Sequence, residues 1–399
     1  MVLAALALVA TACTGGSSGR AKPSRTIRGI TPAEIRIGGL GYVGFYSDAV
    51  IGVQARIKRA NDSGGVHGRI IRYVGFQDDN ADGERDIGGA KTLVEKQQVF
   101  AVLPAVTPDL GAVSYLKDHH VPFFGWGIAP QFQGSAAGFG FTGSLTPPEP
   151  KTASNAWGIV VKKLFHDDVA GKTVAVVGED DASGHADVDI EKAVFENAGF
   201  KVVYAEAGIP SSSRVDFAPI ADRILTSNAG KPPDVIVHVA TVDNVLGLSG
   251  ALTARGFKGV QTNQTLYDPR LAAAASGSQV FLEFAPYEAA STNPHVKQLV
   301  DDVKVAKPDA VLSESMAVGY WAADLFLAML EKAGRNLTAE QFLRVANDHF
   351  TWEVPDTVGP SVWPRMHVIA VPCGALVAGT GTGFQVSVPF LCAQTIDLK

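Results

Sequence analysis

Residues 35–45 read IRIGGLGYVGF, in which Gly39, Gly41 and Gly44 form a G-x-G-x-x-G pattern. The pattern follows a strand-like segment and precedes a helix-like one, the arrangement that cradles a pyrophosphate in dinucleotide-binding folds. Such a site also needs an acidic residue about 20 positions past the glycines to hold a ribose hydroxyl. Asp62 has that spacing but lies at a predicted helix end, among further glycines. We therefore interpret the glycines as a tight strand-to-helix loop with accessible backbone N–H groups.

Strand-like and helix-like segments alternate along the chain beyond this loop. Apolar residues between Val50 and Ala60 recur every three or four positions, which predicts a helix with one buried face. A second helix is predicted from Ser315 to Ala333, ending at Gly334. Such alternation is typical of parallel sheets covered on both faces, so the predicted fold class is α/β with two doubly wound parallel-sheet lobes. The predicted strands are Glu34–Gly39, Ile70–Phe76, Phe100–Leu103, Val121–Trp126, Thr173–Val177, Lys201–Tyr204, Asp234–Val239 and Val280–Tyr287.

The composition is that of a globular protein and gives no indication of nucleic-acid binding. The chain has 399 residues, of which 46% are hydrophobic and 19% are charged, so it can bury a core in each of two lobes. Its net charge is -6 and it contains no basic run, whereas a phosphate-binding surface concentrates Lys and Arg. We therefore expect no nucleic-acid partner.

Residues 1–12 are predicted to be a signal peptide, because residues 2–12 form an apolar run that is too short to span a membrane. The run ends in VATAC, and a tether rich in Gly and Ser extends over residues 13–32. This segment resembles a bacterial lipoprotein signal, with Cys13 as the lipidated first residue of the mature chain. The alternative is an ordinary cleaved signal with a chance cysteine.

Cys373 and Cys392 are predicted to form a disulfide. They lie at the two ends of VPCGALVAGTGTGFQVSVPFLC, where two apolar runs flank the turn sequence GTGTG and so indicate a β-hairpin. The far ends of a hairpin meet, and an exported protein is in an oxidising compartment. The alternative is a pair of buried thiols.

Other patterns that suggest nucleotide, metal or catalytic sites are incomplete. AGKT at residues 170–173 precedes its strand and has His166 where a phosphate-binding loop needs its first glycine. DDNADGE at residues 78–84 matches the start of a calcium loop, but Gly89 occupies the position that needs a bidentate Glu. We interpret that segment as an acidic helix start. The sequence contains no G-x-S-x-G, H-E-x-x-H or C-x-x-C motif, and we expect no enzyme activity, cofactor or bound metal.

Three segments together resemble the leucine/isoleucine/valine-binding type of bacterial solute-binding proteins, which have the type 1 periplasmic binding fold. They read IRIGGLGYVGFYSDAVIGVQARIKRANDSGGVHGRIIRYVGFQDDN at residues 35–80, AKTLVEKQQVFAVLPAVTPD at residues 90–109 and GKTVAVVGEDDASG at residues 171–184. The resemblance extends from residue 33 to about residue 370. It implies two lobes, joined by a three-crossing hinge, that close on a small solute which the permease of an ABC importer then accepts. It also implies that the early glycine loop faces the cleft between the lobes.

The resemblance implies where the chain passes between the lobes. The three crossings are expected near Phe141–Ser144, Phe284–Glu288 and Thr351–Val354. Residues 33–142 and 286–350 are then assigned to the first lobe, and residues 143–285 and 351–399 to the second.

In the first lobe the resemblance implies five residues at the ligand. Tyr46 takes the place of an aromatic residue that is frequent in the family, and Thr107 that of a hydroxyl that binds a ligand carboxylate. Gly127 and Ala129 fall where backbone groups contact the ligand, and Trp126 is expected to wall the pocket. Structural alternatives are surface packing for Tyr46, a helix N-cap for Thr107 and the core for Trp126.

In the second lobe the chain departs further from the family pattern. Ser183 and Thr241 fall where aromatic residues are common. Gln264 falls where amino-acid binders can carry a Glu that faces the ligand's ammonium, and Tyr267 is a nearby candidate for the aromatic role. Acids close in sequence that could supply the missing charge are Asp180, Asp181 and Asp243.

These departures predict the class of ligand. A neutral carbonyl at Gln264 binds an ammonium less strongly than a carboxylate does, and the small second-lobe side chains leave more room. We therefore predict a small carboxylate, amide or aromatic acid, bound at least as well as leucine or valine. Branched-chain amino acids are the alternative.

The expected protein is an extracytoplasmic monomer, lipid-anchored to the outer face of the cell membrane, whose partners are a small solute and an ABC permease. One alternative is a ligand-sensing receptor of the same fold that signals through a separate partner. A less favoured one is an exported α/β enzyme, which turnover of a hydrolysable substrate would support.

Overall fold

The structure is a computed structural model that describes residues 27–145, 151–210 and 214–398. The predicted signal peptide and Cys13 lie outside these residues. The strands are Glu34–Gly41 (β1), Ile70–Asp78 (β2), Ala101–Val106 (β3), Phe123–Gly125 (β4), Gly138–Gly140 (β5), Thr152–Ser154 (β6), Thr173–Glu179 (β7), Lys201–Ile209 (β8), Val235–Val239 (β9), Val260–Asn263 (β10), Ser278–Leu282 (β11), Thr351–Val354 (β12), Val358–Val362 (β13), Cys373–Gly379 (β14), Phe384–Cys392 (β15) and Thr395–Asp397 (β16). The α-helices are Val43–Tyr46 (α1), Ala49–Asp62 (α2), Gly83–Lys91 (α3), Val113–Asp118 (α4), Ala156–Lys163 (α5), Ala182–Asn197 (α6), Phe217–Thr226 (α7), Val242–Ala254 (α8), Pro294–Ala306 (α9), Glu314–Ala333 (α10) and Ala339–Ala346 (α11).

The first lobe is built on a parallel sheet with the strand order β2-β1-β3-β4-β5. Successive side chains of a strand point to opposite faces. Ile35 and Ile37 therefore join the core that contains α2 and α10, whereas Leu40 packs in the core that contains α3 and α4. The sheet is thus covered by helices on both faces, which explains why the inner strand β3 is apolar and buried along its whole length.

Helices α2 and α10 touch backbone to backbone over the first sheet. A Cβ atom at Gly52 would overlap the carbonyl oxygen of Met316, and one at Gly319 would overlap that of Ala49. Two glycines on facing helix surfaces therefore allow this close approach. The contact holds the amino end of α10, where Glu314 lies, beside the loop that follows β1.

The second lobe is built on a seven-stranded sheet with the order β15-β14-β11-β10-β9-β7-β8. Strands β11 to β8 in this order are parallel, and the β14–β15 hairpin adds two antiparallel strands at one edge. Val174 packs towards α5 and α6, and the next residue, Ala175, packs towards α7 and α8. The predicted α/β class with two doubly wound lobes is confirmed.

Three chain segments pass between the lobes and lie side by side. The Ser144 N–H donates to the Ile369 carbonyl at 3.0 Å, and the Val371 N–H donates to the Thr142 carbonyl at 2.8 Å. The remaining crossing follows β11, where the Ala285 N–H donates to the Thr357 carbonyl at 2.8 Å. Adjacent crossings of this kind let two lobes rotate about a common axis with small changes in a few backbone torsions.

We propose that the last crossing lies further along the chain than the sequence predicts. Residues 351–362 contain the antiparallel β12–β13 pair. Trp363 packs on Phe139 of the first lobe with ring centroids 5.1 Å apart, and the Ser361 hydroxyl donates to the Phe141 carbonyl at 3.0 Å. These contacts favour the first lobe for residues 351–369, and we propose that the lobe boundary lies near residue 370. Indole burial against the first-lobe core explains the difference.

The predicted elements agree with the structure in type and differ at their ends. Each of the eight predicted strands overlaps an observed one, and the last ends at Leu282 because the chain enters a crossing there. The predicted helix at 315–333 is α10, which ends at Gly334 with a φ of 80°. Cys373 and Cys392 face each other across β14 and β15 and form the predicted disulfide. None of the helices in the described ranges combines the length and hydrophobicity of a membrane span.

Candidate ligand-binding cleft

A cavity of about 610 Å³ lies between the two lobes, at the carboxyl ends of the parallel strands. Residues from both lobes and from the crossings line it, among them Tyr46 of the first lobe and Gln264 of the second. Strand ends at a change of chain direction are where ligands bind in open α/β sheets. The volume is within the range of small-molecule sites.

Five of the eight predicted ligand residues line this cavity. They are Tyr46 at the end of α1, Trp126 after β4, Ser183 in the first turn of α6, Thr241 before α8 and Gln264 after β10. Tyr267, the nearby aromatic candidate, also lines it. These residues are brought together because each follows a parallel strand; their contact with a ligand stays a prediction.

The other three predicted ligand residues lie elsewhere. Thr107 is 1% exposed, and its hydroxyl faces the Asp79 carboxyl behind the cavity wall. Gly127 packs so closely on a crossing that a Cβ atom would overlap the Gly143 carbonyl oxygen. Ala129 is buried in the core of the first lobe. None of the three belongs to the cavity lining in the described structure, so their contact with a ligand stays a prediction that the lining does not support.

The glycine pattern is part of the sheet and is not a phosphate cradle. Cβ atoms at Gly39 and Gly41 would collide with Tyr73 and with Val106 on the neighbouring strands. In the segment that follows, the Val43 N–H donates to Asp78 at the end of β2 at 3.1 Å, so this N–H group already has a partner. Gly44 alone of the three glycines lines the cavity.

The segment that resembled a calcium loop begins a helix, as the sequence predicts. Asp82 caps α3 by accepting from the backbone N–H groups of Glu84 at 3.0 Å and Arg85 at 2.9 Å. The Asp78 carboxylate accepts from the backbone of Val43 and Asn80, each at 3.1 Å. These carboxylates accept from backbone N–H groups of the segment after β1, of their own loop and of the start of α3.

Thr241 is already engaged by an acidic residue of the cavity wall. Its hydroxyl donates to Glu179 at 2.5 Å, its backbone N–H donates to the same oxygen at 2.9 Å, and Asn244 donates at 2.6 Å. Burial raises the pKa of Glu179, but these hydrogen bonds outweigh it and lower the pKa overall. Glu179 is thus an ionised carboxylate whose Oε1 accepts three hydrogen bonds.

The sequence did not indicate three glutamates that line the cavity. Glu191 belongs to α6, Glu283 begins a crossing after β11, and Glu314 is the first residue of α10. Burial raises the pKa of all three: that of Glu283 to about 7, and those of Glu191 and Glu314 well above the usual range. Their positions in the sequence, 123 residues apart from first to last, gave no signal that they converge.

The acids that the sequence proposed as a source of charge have different positions. Asp181 lines the cavity and caps α6 by accepting from the Gly184 N–H at 2.8 Å. Asp180 lies 3.0 Å from the His185 ring nitrogen on the exposed side of the helix. Asp243 does not line the cavity. Asp187 of α6 does line it, and burial raises the pKa of its carboxyl to about 6.

An ion pair joins the lobes at the mouth of the cavity. Arg270, which follows β10, lies 3.0 Å from Asp48 at the start of α2 and 2.5 Å from Asp268 of its own lobe. Asp48 also accepts from the Ser313 hydroxyl at 2.9 Å. Arg270 thus has two carboxylate partners, one of them on the opposite lobe.

Aromatic side chains form one wall of the cavity. Trp157 and Phe281 stack with ring centroids 5.5 Å apart and an interplanar angle of 14°. The Trp157 indole N–H donates to Thr262 at 2.9 Å, so this ring presents carbon to the cavity. The lining therefore combines carboxyl groups with an aromatic surface.

Comparison with solved structures shows the same fold in bacterial solute-binding proteins. A fatty acid ABC transporter substrate-binding protein from Thermomonospora curvata is 18% identical, with 93% of this chain and 95% of that chain covered and a TM-score of 0.70. A possible leucine/isoleucine/valine-binding protein from Rhodopirellula baltica is 13% identical, with 91% and 98% covered and a TM-score of 0.68. A solute-binding protein from R. palustris in complex with 4-hydroxybenzoate is 18% identical, with 91% and 97% covered and a TM-score of 0.64.

Sequence comparison identifies the family. No curated protein matches the chain at a significant level. The sequence profile of the family described as periplasmic binding protein matches residues 37–377. These include every residue that lines the cavity and, apart from β15 and the outer ends of β1 and β14, the strands of both large sheets. The chain belongs to the periplasmic binding protein family.

Proposed function

We propose that the chain is an extracytoplasmic solute-binding lipoprotein that captures a small solute between its lobes and delivers it to the permease of an ABC importer. The observation that supports this most directly is the cavity, which residues of both lobes line and three adjacent crossings flank. Solved structures of the same fold are described as ABC transporter proteins for fatty acid and 4-hydroxybenzoate. Their ligands differ widely in chemistry, which supports a small solute as a class without naming one.

To be captured, the solute must bind the closed arrangement of the two lobes more tightly than the open one. A solute that touches both Tyr46 and Gln264 contacts both lobes only when they are close, and so stabilises the closed state. The ion pair between Asp48 and Arg270 forms in the same arrangement. It is partly exposed to solvent, so it contributes little to closure, and the ligand supplies most of the free energy. No bond of the solute is broken in this cycle.

Closure can be tested on the purified chain. Native mass spectrometry should identify the solute that copurifies, and adding that solute to stripped protein at 100 times its Kd should stabilise it by about 2.7 kcal/mol. Small-angle scattering should show a smaller radius of gyration. Tyr46→Ala should weaken binding, whereas Thr107→Val, behind the cavity wall, should not. Binding without compaction, or equal losses in both variants, would contradict the proposal.

Membrane attachment should depend on Cys13. If this cysteine carries the lipid, Cys13→Ser should release the protein into the medium, because each buried CH₂ of an acyl chain contributes about 0.8 kcal/mol to membrane binding. Fractionation of cells that express the two forms measures this. A serine variant that sediments with membranes like the wild type would show that lipid on Cys13 is not the anchor.

A further inference from the structure

The cavity wall is strongly acidic. Besides Asp268, which is paired with Arg270, six carboxyl side chains line it: Glu179, Asp181, Asp187, Glu191, Glu283 and Glu314. Among the described residues of the lining, Arg270 is the sole Lys or Arg, and two carboxylates already bind it. A ligand carboxylate would therefore meet the ionised Glu179 without a free cation to offset either charge.

The three missed glutamates form a connected acidic floor that runs from one lobe to the other. The charges of Asp187 and Glu283 raise the pKa of Glu191 beyond the effect of burial, and those of Glu283 and Asp268 do the same for Glu314. Glu283 therefore affects the pKa of both other glutamates; it is 7% exposed and faces the Trp126 indole. We refer to this group as the acidic floor; it consists of Glu191, Glu283 and Glu314.

The acidic floor has unused hydrogen-bonding capacity. Within the described parts of the chain, Oε2 of Glu191 and Oε1 of Glu314 are buried and have no hydrogen-bond partner. Buried polar atoms of native proteins are normally paired, so unpaired ones that face a cavity point to a polar ligand. In their ionised form these carboxyl groups only accept hydrogen bonds, so the ligand that suits that form is one that donates.

A buried histidine on the same wall supports this independently. His238 is 1% exposed, its Nε2 lies 3.2 Å from Gln261, and its Nδ1 has no partner in the described structure. Burial lowers its pKa to about 4, so it is neutral at physiological pH. It adds a polar contact to the cavity without adding positive charge, and so does not help an anionic ligand.

The expected carboxylate anchor is missing from the cavity. Thr107, the hydroxyl that the sequence placed at a ligand carboxylate, lies behind the wall. The opposite wall, with Trp157 and Phe281, is aromatic and can contact an apolar chain or the face of a cation.

We propose that the solute is a small organic cation, an amine or guanidinium compound without a carboxylate, whose charged group binds the acidic floor. This rests on the proposed function and names the ligand class of the same cleft. It replaces the carboxylate, amide or aromatic acid that the sequence predicts. A metal cation fits less well, because the described residues contain no group of three His, Cys, Asp or Glu side chains arranged to hold one.

The test compares ligands that differ in charge and little in shape. The probes are 1,4-diaminobutane, agmatine and 2-phenylethylamine, the neutral analogues 1,4-butanediol and 2-phenylethanol, and the carboxylates 4-hydroxybenzoate and isoleucine. Calorimetry on stripped protein at pH 7 in buffers of different ionisation enthalpy measures affinity and proton release together. At least one amine should bind at least tenfold more tightly than its neutral analogue, and should release protons because its charge favours the ionised floor.

Single substitutions test whether the amine binds to the acidic floor. Glu191→Gln and Glu314→Gln should each weaken amine binding about tenfold, because each loses a charge-assisted hydrogen bond. Glu196→Gln, an exposed position on the same helix as Glu191, is the matched control and should not change it. Circular dichroism confirms that each variant is folded.

Each outcome decides the proposal. Neutral analogues or carboxylates that bind as tightly as the amines would overturn it, as would amine affinity that both floor variants leave unchanged, or an absence of binding by every amine. If 4-hydroxybenzoate or isoleucine binds and compacts the protein while the amines do not, the amine inference fails and the proposed solute capture stands. If the solute found by native mass spectrometry causes no compaction, solute capture itself fails.

Discussion

Glu283→Gln should raise the stability of the ligand-free protein at pH 8 by up to about 3 kcal/mol, and the gain should vanish near pH 4. Burial raises the pKa of Glu283 from 4.5 to about 7 in the folded state. Between these values the folded state holds more protons than the unfolded state, so the wild type loses stability as pH rises from about 4.5 to about 7. Above that range the full cost of a buried charge is present. Because glutamine carries no charge, the variant does not have this destabilising contribution.

Denaturant unfolding of wild type and variant at pH 4, 6 and 8 measures the effect. The protein must first be stripped of copurified solute, since a bound cation would offset the charge. The other titratable groups around Glu283 are Glu191, Glu314, Asp187 and His238. They are the same in both proteins, so the difference at each pH isolates residue 283 to first order. Glu196→Gln is again the control, and a gain that is equal at pH 4 and pH 8 would contradict burial of an ionisable group.

Removing the disulfide should cost about 3 kcal/mol of stability, because the bridge closes a short loop in the unfolded chain. Cys373 and Cys392 are 19 residues apart and join β14 to β15 at the edge of the second sheet. Cys373 is 1% exposed, so the test replaces both residues, as Cys373→Ala with Cys392→Ser, and leaves no unpaired thiol in the core. Because the β14–β15 hairpin directly follows the third crossing, loss of the disulfide should also loosen the hinge.

Reductant provides an internal control for this prediction. Guanidinium unfolding with and without a strong reductant should show the wild type falling to the stability of the double variant, while the variant itself does not change. A wild type that reductant leaves unaffected, or a variant as stable as the oxidised wild type, would show that the bridge adds nothing. Solute binding of the double variant, measured in parallel, separates an effect on the hinge from one on the fold.

Local patterns were sufficient for the fold class and for most elements. The apolar repeat in α2, the glycine that ends α10 and the turn between β14 and β15 each act over a few residues, so the sequence states them directly. The pairing of Cys373 with Cys392 followed from the same logic, because a hairpin brings sequence neighbours together. Five predicted ligand residues line the cavity since the carboxyl ends of parallel strands share one edge of a sheet.

The sequence by itself therefore determined the two-lobed α/β architecture, the family and the general position of the cleft. Only the tertiary structure decided which side chains reach it. Thr107 follows a strand as Trp126 does, but it is 1% exposed and its hydroxyl faces the Asp79 carboxyl, and no local pattern reports such burial. Glu191, Glu283 and Glu314 look like ordinary polar positions in the chain. They become buried and acidic together because a helix of one lobe, a crossing and a helix of the other lobe meet at one cavity, and the desolvation that raises their pKa values exists only there.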